Sequence, residues 1–151
     1  MSKALIGAGC FWGIENYFLK LNGVNETKVG YSGGHLENPT YEDVCLGETE
    51  HVEVVLITFD EKIITYKEII EHFWLCHDPT QLNRQGPDIG RQYRSAIFYS
   101  SEEEKKIALD SKKEKQKLFS KIIETEITMI KKFYIAEEYH QLYILKRNNN
   151  A

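Results

Sequence analysis

A single cysteine set among glycines and aromatic residues is the feature of this sequence best suited to chemistry. Cys10 lies in the stretch Gly9-Cys10-Phe11-Trp12-Gly13, after the apolar run Ala4 to Ala8. Apolar residues at helical spacing follow, so we predict that a strand ends and a helix begins at Cys10. The first turn of a helix stabilises a thiolate over a thiol, and a thiolate is a nucleophile. A buried structural cysteine in a packed turn is the alternative.

Glu53 is the second residue that stands out, because it lies in the most apolar strand that the sequence predicts. This strand runs from Val52 to Phe59, and Glu53 shares a face with Val55 and Ile57. Burying an ionised carboxylate is costly, so we expect Glu53 to have a raised pKa and to carry a proton. Such a group is a proton donor. The alternative is that Glu53 lies at the end of the strand and reaches water.

Three further polar residues lie in or beside the two long loops that the sequence predicts. Asp88 is in the turn-forming run Gln85 to Gly90, where an aspartate often caps its own backbone. Tyr41 and Tyr93 lie at the ends of the loops. A buried tyrosine normally brings its hydroxyl to a polar partner, but each of these two, taken alone, fits a packing role better than a catalytic one.

The histidines raise two other hypotheses, a metal site and a cysteine hydrolase. His72 and Cys76 are four residues apart on one predicted helix, and His51 comes two residues before Glu53. Structural zinc sites usually contain ligand pairs such as C-x-x-C, which this sequence lacks, so we predict no metal site. A cysteine hydrolase would need a histidine paired with the cysteine and stays an alternative function.

Length and composition predict one globular domain spanning residues 1–151. With 42% hydrophobic and 28% charged residues, the chain can bury a core without a cofactor or a disulfide to hold it. A net charge of -4 argues against nucleic acid and anionic membranes as partners. The N-terminus does not resemble a signal peptide, and an odd number of cysteines, three, does not indicate a disulfide framework. We therefore expect a cytoplasmic protein.

The predicted elements follow the order β-α-β-β-α-β-α-β. Strands are predicted near Leu5, from Val24 to Tyr31, from Val52 to Phe59, from Ser95 to Tyr99 and from Glu126 to Ile130, and helices from Cys10 to Leu21, from about Tyr66 to Cys76 and from Glu102 to Lys117. This order favours an α+β fold, a two-layer α/β sandwich with a ferredoxin-like β-α-β-β-α-β core and extra C-terminal elements.

Ordered motifs along nearly the whole chain resemble those of the A-type peptide methionine sulfoxide reductases. The matching segments are Gly9-Cys10-Phe11-Trp12-Gly13, Gly30-Tyr31-Ser32-Gly33-Gly34, Asn38-Pro39-Thr40-Tyr41, His51-Val52-Glu53-Val54-Val55, His77 to Ser95, and Ala136-Glu137-Glu138-Tyr139-His140-Gln141. One such motif would be weak, whereas the ordered set is specific. The resemblance implies a peptide-methionine (S)-S-oxide reductase, which reduces methionine S-sulfoxide, free or within proteins, and so repairs oxidised proteins.

The resemblance implies catalytic roles for four of these residues. Cys10 matches the nucleophile of the family, which is left as a sulfenic acid after methionine leaves. Glu53 matches the acid that hydrogen-bonds the sulfoxide oxygen, and Tyr41 and Tyr93 match tyrosines that help to hold that oxygen. Together they would provide the nucleophile and the protonated leaving oxygen that sulfoxide reduction requires.

Substrate binding is implied for three other residues. Phe11 and Trp12, which the sequence already predicts to form an apolar wall beside the sulfur, match the aromatic pair that receives the methyl group. Asp88 matches an aspartate that helps to position the substrate. A module that binds oxidised methionine without turning it over is the alternative function.

The cysteines of this chain depart from the pattern of many family members, which have resolving cysteines near the C-terminus. The sequence has no cysteine after Cys76, and Cys45 matches a family cysteine that is usually not the resolving one. The resemblance therefore implies a one-cysteine enzyme without a bound cofactor, expected to be a monomer, in which an external thiol reduces Cys10. Glutaredoxin with glutathione, or thioredoxin, would be that thiol. Glu50 also replaces the glycine that is usual before His51.

Overall fold

A computed structural model describes residues 1–149 of the chain as an α+β fold of eight strands and five helices. The elements are β1 (Ser2–Ala8), α1 (Phe11–Leu19), β2 (Val24–Ser32), α2 (Tyr41–Cys45), β3 (Val52–Phe59), α3 (Tyr66–Leu75), β4 (Arg84–Gln85), β5 (Asp88–Ile89), β6 (Ser95–Tyr99), α4 (Glu102–Gln116), β7 (Glu126–Met129), β8 (Tyr134–Ile135) and α5 (Tyr143–Asn149), with 3-10 turns at Arg91–Tyr93 and Glu138–His140. Among residues 1–149 there is no helix with the length and apolar composition that crossing a membrane requires.

Six of the strands form one mixed sheet in the order β7-β6-β1-β3-β2-β8, and β4 and β5 form a separate hairpin. β3 pairs antiparallel with both β1 and β2, whereas β7 pairs parallel with β6. In the register of β2 and β3, Tyr31 lies opposite Glu53. The strand that carries Glu53 is therefore central in the sheet, as its apolar composition predicts.

The helices α1, α3 and α4 cover one face of the sheet, where the main hydrophobic core lies. Val55, Ile57 and Phe59 of β3 belong to this core. Because side chains alternate along a strand, Glu53 points to the same face. Val54 belongs to a smaller cluster on the opposite face. Glu53 is thus directed into the space between the sheet and the helices.

His51 fixes the loop that connects β2 to α2. Its Nδ1 accepts a hydrogen bond from the backbone N–H of Gly34 at 3.0 Å, and its Nε2 bonds the carbonyl of Leu36 at 2.7 Å. A Cβ at Gly34 would collide with the backbone of Thr49 and His51, so the loop can approach this closely only because residue 34 is a glycine. The loop leads directly into α2 and thereby places Tyr41.

The α+β class is confirmed, and each predicted strand and helix is present with small changes at its ends. α1 begins at Phe11 rather than Cys10 and ends at Leu19. The short elements α2, β4, β5, β8 and α5 are additional to those predicted from the sequence. The ferredoxin-like description of the core and the single domain over residues 1–151 stay predictions, and residues 150–151 lie outside the described part of the chain.

Candidate active site

The turn between β1 and α1 places Cys10 at the N-terminus of a helix, as the sequence predicts. Cys10 is the N-cap residue of α1 and is partly exposed. Gly9 has a φ of 102°, and a Cβ there would lie 2.9 Å from the side chain of Gln85, so this turn requires glycine. The Cys10 side chain accepts no capping hydrogen bond from the described residues. Cys10 therefore lies at the first turn of α1 with part of the residue exposed.

The resting Cys10 is a thiol, which corrects the thiolate that the sequence predicts. Burial, together with negative charge on Glu53 and Asp88, raises the pKa of Cys10 to about 11. The backbone N–H groups of Trp12 and Gly13 lower it, as expected at a helix N-terminus. Their effect is smaller than the desolvation of the sulfur. Cys10 therefore needs a partner that takes its proton during the reaction.

Glu53 is a buried carboxylic acid next to this thiol. Its side chain is only 1% exposed, and its Oε1 accepts a hydrogen bond from the N–H of Phe11 at 3.2 Å. Burial and the charge of Asp88 raise the pKa of Glu53 to about 8, against the opposing effect of the hydrogen bond from Phe11. The raised pKa predicted from the sequence is thus confirmed. The other carboxyl oxygen, Oε2, is buried without a partner among residues 1–149.

Tyr41 is positioned through a carboxylate at the far end of the chain. Glu137 accepts the N–H of Tyr41 at 2.9 Å with one oxygen and the hydroxyl of Tyr31 at 3.0 Å with the other. The ring of Tyr41 stacks on that of Phe11, with 6.5 Å between the centroids. Burial raises the pKa of Tyr41, as does hydrogen bonding to Cys45, so the phenol stays protonated. Tyr41 therefore lies beside the first residue of α1.

The structure also brings Tyr93 and Asp88 to the same site. Tyr93 ends the 3-10 turn Arg91–Tyr93, and burial together with the charges of Glu53 and Asp88 raises its pKa to about 12. Asp88 lies in the β4–β5 hairpin, close enough to Cys10 and Glu53 for its charge to raise the pKa of both. These two residues approach the thiol from a part of the chain distant in sequence.

The two aromatic residues after the cysteine differ in accessibility. Phe11 is 1% exposed, and its ring lies 5.8 Å from that of Tyr31 and 5.2 Å from that of His140, measured between centroids. Trp12 is partly exposed. Phe11 therefore belongs to the core, and Trp12 is the member of the predicted wall that an incoming molecule can reach.

The histidines considered for other chemistry have structural partners. His72 shares a hydrogen bond with the Tyr17 hydroxyl at 2.8 Å, and His77 is bonded to the Phe73 carbonyl at 2.8 Å and the Ser95 hydroxyl at 2.7 Å. His72 and His77 are therefore held by structural hydrogen bonds to groups other than Cys10.

Three residues that complete the site were not singled out from the sequence. Glu137 and His140 lie beyond the last predicted strand, and Tyr31 lies inside one. Glu137 and His140 belong to the segment 136–141 and Tyr31 to the segment 30–34, and both segments served for the resemblance without giving these residues a role. Their contacts join positions about a hundred residues apart, so spacing along the chain does not reveal them.

Known proteins with the same arrangement identify the family. The model of the family described as peptide methionine sulfoxide reductase matches residues 2–151. The peptide methionine sulfoxide reductase MsrA of Methanothermobacter thermautotrophicus is 56% identical over 95% of this chain and 86% of its own length. Mxr1 from Saccharomyces cerevisiae in its reduced form superposes with a TM-score of 0.92 at 40% identity, over 99% of this chain and 87% of that one. Mxr1 in complex with Trx2 superposes with a TM-score of 0.67 at 28% identity, over 94% and 84% of the two chains. The chain therefore belongs to the peptide methionine sulfoxide reductase family, and its activity is the thiol-dependent reduction of methionine sulfoxide.

Proposed function

We propose that this protein reduces methionine S-sulfoxide, free and within proteins, with Cys10 as the nucleophile and Glu53 as the proton donor. The observation that carries the proposal is the buried Oε2 of Glu53, which has no partner among residues 1–149. Leaving such a group unsatisfied is costly, and a sulfoxide oxygen bound there would satisfy it. A protonated acid aimed at that oxygen is also what the reaction needs, because the oxygen leaves poorly without a proton.

The proposed step transfers one oxygen atom from substrate to enzyme. The sulfur of Cys10 attacks the sulfoxide sulfur and forms an S–S bond with it, while Glu53 protonates the oxygen. The resulting hydroxyl group then moves from the substrate sulfur to the Cys10 sulfur, so that the S–O bond of the substrate and the new S–S bond break as the S–O bond on Cys10 forms. The carboxylate left on Glu53 takes the thiol proton, which fits a thiol with a pKa of about 11. Cys10 ends as a sulfenic acid that bears the oxygen, its sulfur has lost two electrons, and the methionine sulfur has gained them. Methionine is then released.

Tyr41 and Tyr93 assist this step as hydrogen-bond donors. Burial raises the pKa of both phenols, so each keeps its proton at neutral pH. Donors placed in advance where negative charge develops lower the barrier without reorganisation. We infer that the two hydroxyls bind the sulfoxide oxygen together with Glu53.

The aromatic wall and Asp88 provide the proposed selectivity. Trp12, backed by the buried Phe11, would contact the methyl group and the sulfur, a contact typically worth about 0.3 to 1.5 kcal/mol. Asp88 would help to orient the rest of the substrate. A sulfoxide sulfur has three different substituents, so fixing the methyl group on Trp12 and the oxygen at Glu53 allows only one epimer to present its sulfur to Cys10.

We therefore expect the protein to reduce methionine S-sulfoxide and to leave the R epimer unchanged. The measurement is turnover of each purified epimer of N-acetyl-methionine sulfoxide with dithiothreitol as reductant. Intact mass after one equivalent of substrate should show an added oxygen on the protein. Equal rates for R and S, or stable binding of the S epimer with no methionine formed, would rule out the proposed chemistry; the second result would indicate a binding module.

For regeneration we propose a one-cysteine enzyme. The three cysteines are free thiols in the structure, and Cys10 is partly exposed, so an external thiol can reach its sulfenic acid. One thiol forms a mixed disulfide with Cys10 and releases water, and a second thiol reduces that disulfide. The complex of Mxr1 with Trx2 supports thioredoxin as this reductant, and glutathione with glutaredoxin is the other candidate. We further propose that the protein is a monomer and works in the cytoplasm, where such thiols are kept reduced.

Oxidation of the protein with one equivalent of sulfoxide tests the one-cysteine proposal. We expect sulfenic acid at Cys10 and no intramolecular disulfide, because Cys76 is partly buried and donates to the carbonyl of Phe73 while Cys45 is engaged with Tyr41. The measurement is peptide mapping after trapping with dimedone, and Cys45→Ser should be regenerated by thioredoxin as fast as the wild type. A disulfide between Cys10 and either other cysteine would refute the one-cysteine reading.

A further inference from the structure

The C-terminal segment contacts the partly exposed tryptophan of the proposed substrate wall. Tyr143, the first residue of α5, stacks on Trp12 with ring centroids 3.9 Å apart and an interplanar angle of 9°. The indole N–H of Trp12 also donates to Nδ1 of His140 at 2.9 Å. One face and the polar edge of the partly exposed indole are therefore occupied by protein.

His140 forms a fixed partner for the edge of the indole. Because its Nδ1 accepts a hydrogen bond from Trp12, the ring carries its proton on Nε2. The ring is 0% exposed and lies 4.4 Å from the ring of Tyr41, measured between centroids. Burial lowers the pKa of His140, so the neutral ring that can accept this hydrogen bond is the favoured form.

The turn that carries Tyr143 is fixed by a buried carboxylate on α1. Leu142 has a φ of 53°, a conformation that is unusual for leucine. Its N–H donates to Oε1 of Glu15 at 2.7 Å, and the hydroxyl of Thr27 donates to Oε2 at 2.8 Å. Glu15 is 1% exposed and lies one helical turn after Trp12. α1 therefore carries both the indole of Trp12 and Glu15, the residue that fixes the turn before Tyr143.

The side chain of Gln141 ties the beginning of this turn to the sheet. Its amide bonds both the N–H and the carbonyl of Val29 in β2, each at 2.9 Å. The position of Tyr143 is therefore determined by α1 through Glu15 and by the sheet through Gln141. The unusual backbone conformation of Leu142 is held by contacts on both sides, which indicates that the placement of the next residue, Tyr143, has a functional role.

We propose that Tyr143 is a positioning residue that holds the indole of Trp12 in the orientation needed to receive the methyl group of the substrate. This inference rests on the proposed function, in which Trp12 contacts that methyl group. Tyr143 acts on substrate binding through its stack on Trp12, because a wall that is fixed beforehand need not be ordered when the substrate arrives.

Single-turnover kinetics test this assignment. The rate of methionine formation is measured against the concentration of N-acetyl-methionine S-sulfoxide, which gives an apparent dissociation constant and a limiting rate free of the regeneration step. In Tyr143→Ala we expect the apparent dissociation constant to rise about tenfold and the limiting rate to stay within about threefold of the wild type. Tyr143→Phe keeps the stack and should restore binding. Lys146 lies on the same helix as Tyr143, and Lys146→Ala, which removes an exposed contact to Glu138 in the preceding 3-10 turn, is the matched control.

Tryptophan fluorescence gives a readout that does not depend on turnover. The chain has two tryptophans, and Trp74 is bonded to Ser111 in the core, so Trp74→Phe leaves Trp12 as the sole emitter. In this background Tyr143→Ala should make Trp12 more mobile, with lower emission anisotropy, and Tyr143→Phe should not. If Tyr143→Ala fails to fold, Tyr143→Leu replaces it, because leucine keeps an apolar side chain of helical preference but removes the aromatic stack.

The outcomes separate this inference from the proposed function. A wild type that forms no methionine overturns the proposed function, whatever the fluorescence shows. A normal wild type with unchanged binding in both Tyr143→Ala and Tyr143→Leu overturns the positioning role. A loss confined to the limiting rate, with binding intact, also overturns it, because Tyr143 would then act on the chemical step.

Discussion

The Cys10→Ser variant should form no methionine from methionine S-sulfoxide, even in a single turnover with stoichiometric enzyme. In the proposed mechanism the sulfur of Cys10 supplies the two electrons that reduce the substrate, and a serine oxygen cannot be oxidised to a species equivalent to sulfenic acid. The hydroxyl is also a far weaker nucleophile than a thiolate. Because Cys10 is partly exposed and its sulfur caps no backbone group of the described chain, the melting temperature should change little. Quantifying methionine by chromatography after mixing checks the first expectation.

Cys76→Ser is the matched control for this variant. Cys76 is also a partly buried thiol, and its sulfur donates to the carbonyl of Phe73, a bond that a serine hydroxyl can replace. It lies at the end of α3, and its replacement should leave single-turnover methionine formation unchanged. Methionine formation in Cys10→Ser at a rate near that of the wild type would show that another group is the nucleophile and would end the proposed mechanism.

The Glu53→Gln variant should lose about 10² to 10⁴-fold in the rate of methionine formation in a single turnover. Glutamine keeps an oxygen that can accept the N–H of Phe11, so the start of α1 should be preserved. It cannot give a proton to the sulfoxide oxygen or take one from Cys10. The loss should therefore appear in the limiting rate and much less in the apparent dissociation constant of the substrate. Rapid quenching at saturating sulfoxide checks this expectation.

The rate of methionine formation should change with pH in opposite directions in the wild type and in Glu53→Gln. In the wild type the rate should be constant below pH 8 and fall above it, because the pKa of Glu53 is about 8. In the variant the remaining rate should rise with pH as Cys10 ionises. The pKa of Cys10, followed by thiolate absorbance, should also be lower in the variant because the carboxylate charge that raises it is absent. A wild-type profile that rises through pH 8 would contradict the assignment of Glu53 as the acid.

Stability measurements separate the chemical role of Glu53 from a structural one. The folded protein holds the Glu53 proton up to a pH of about 8, whereas the ordinary carboxyl group loses it at 4.5. Between these values the folded state binds more protons than the unfolded state. The contribution of Glu53 to the free energy of unfolding therefore falls as pH rises, by at most about 1.4 kcal/mol per pH unit. In urea titrations, Glu53→Gln should not show this decline in the free energy of unfolding with pH. Its melting temperature at neutral pH should be close to that of the wild type. Loss of the fold, with normal activity per folded molecule, would instead indicate a structural role.

The sequence predicts the regular elements well wherever one physical signal dominates. β3 is apolar on both faces, and the structure gives it the predicted bounds and a central position. The same signal predicts the burial of Glu53 and the direction of its pKa shift. The Thr65 and Glu68 capping box likewise marks the start of α3.

The ionisation of Cys10 shows where local reasoning fails. Its position at a helix N-terminus was correct, and the N–H groups of Trp12 and Gly13 do favour the thiolate. The direction of the net shift is set instead by burial under distant parts of the chain and by the carboxylates of Glu53 and Asp88. The backbone N–H groups lower the pKa of the thiol, whereas burial and nearby carboxylates raise it. These opposing effects can be ranked only when the three-dimensional surroundings of the sulfur are known.

The C-terminal segment was missed for a related reason. α5 and β8 are short and polar in part, so hydrophobic periodicity gives little signal for them. Their positions depend on specific side-chain bonds such as those of Gln141 to β2. Such bonds join residues far apart in the sequence, and no local preference reports them.

The bonds of Glu137 have a consequence for how the enzyme is made. Chains are synthesised from the N-terminus, so Cys10, Tyr41 and Glu53 leave the ribosome long before Glu137 does. Glu137 holds Tyr31 and Tyr41 at once, so these two contacts can form only after Glu137 has been synthesised. Tyr41, the proposed hydrogen-bond donor to the sulfoxide oxygen, is therefore fixed in place later than the thiol of Cys10 and the carboxyl group of Glu53 are made.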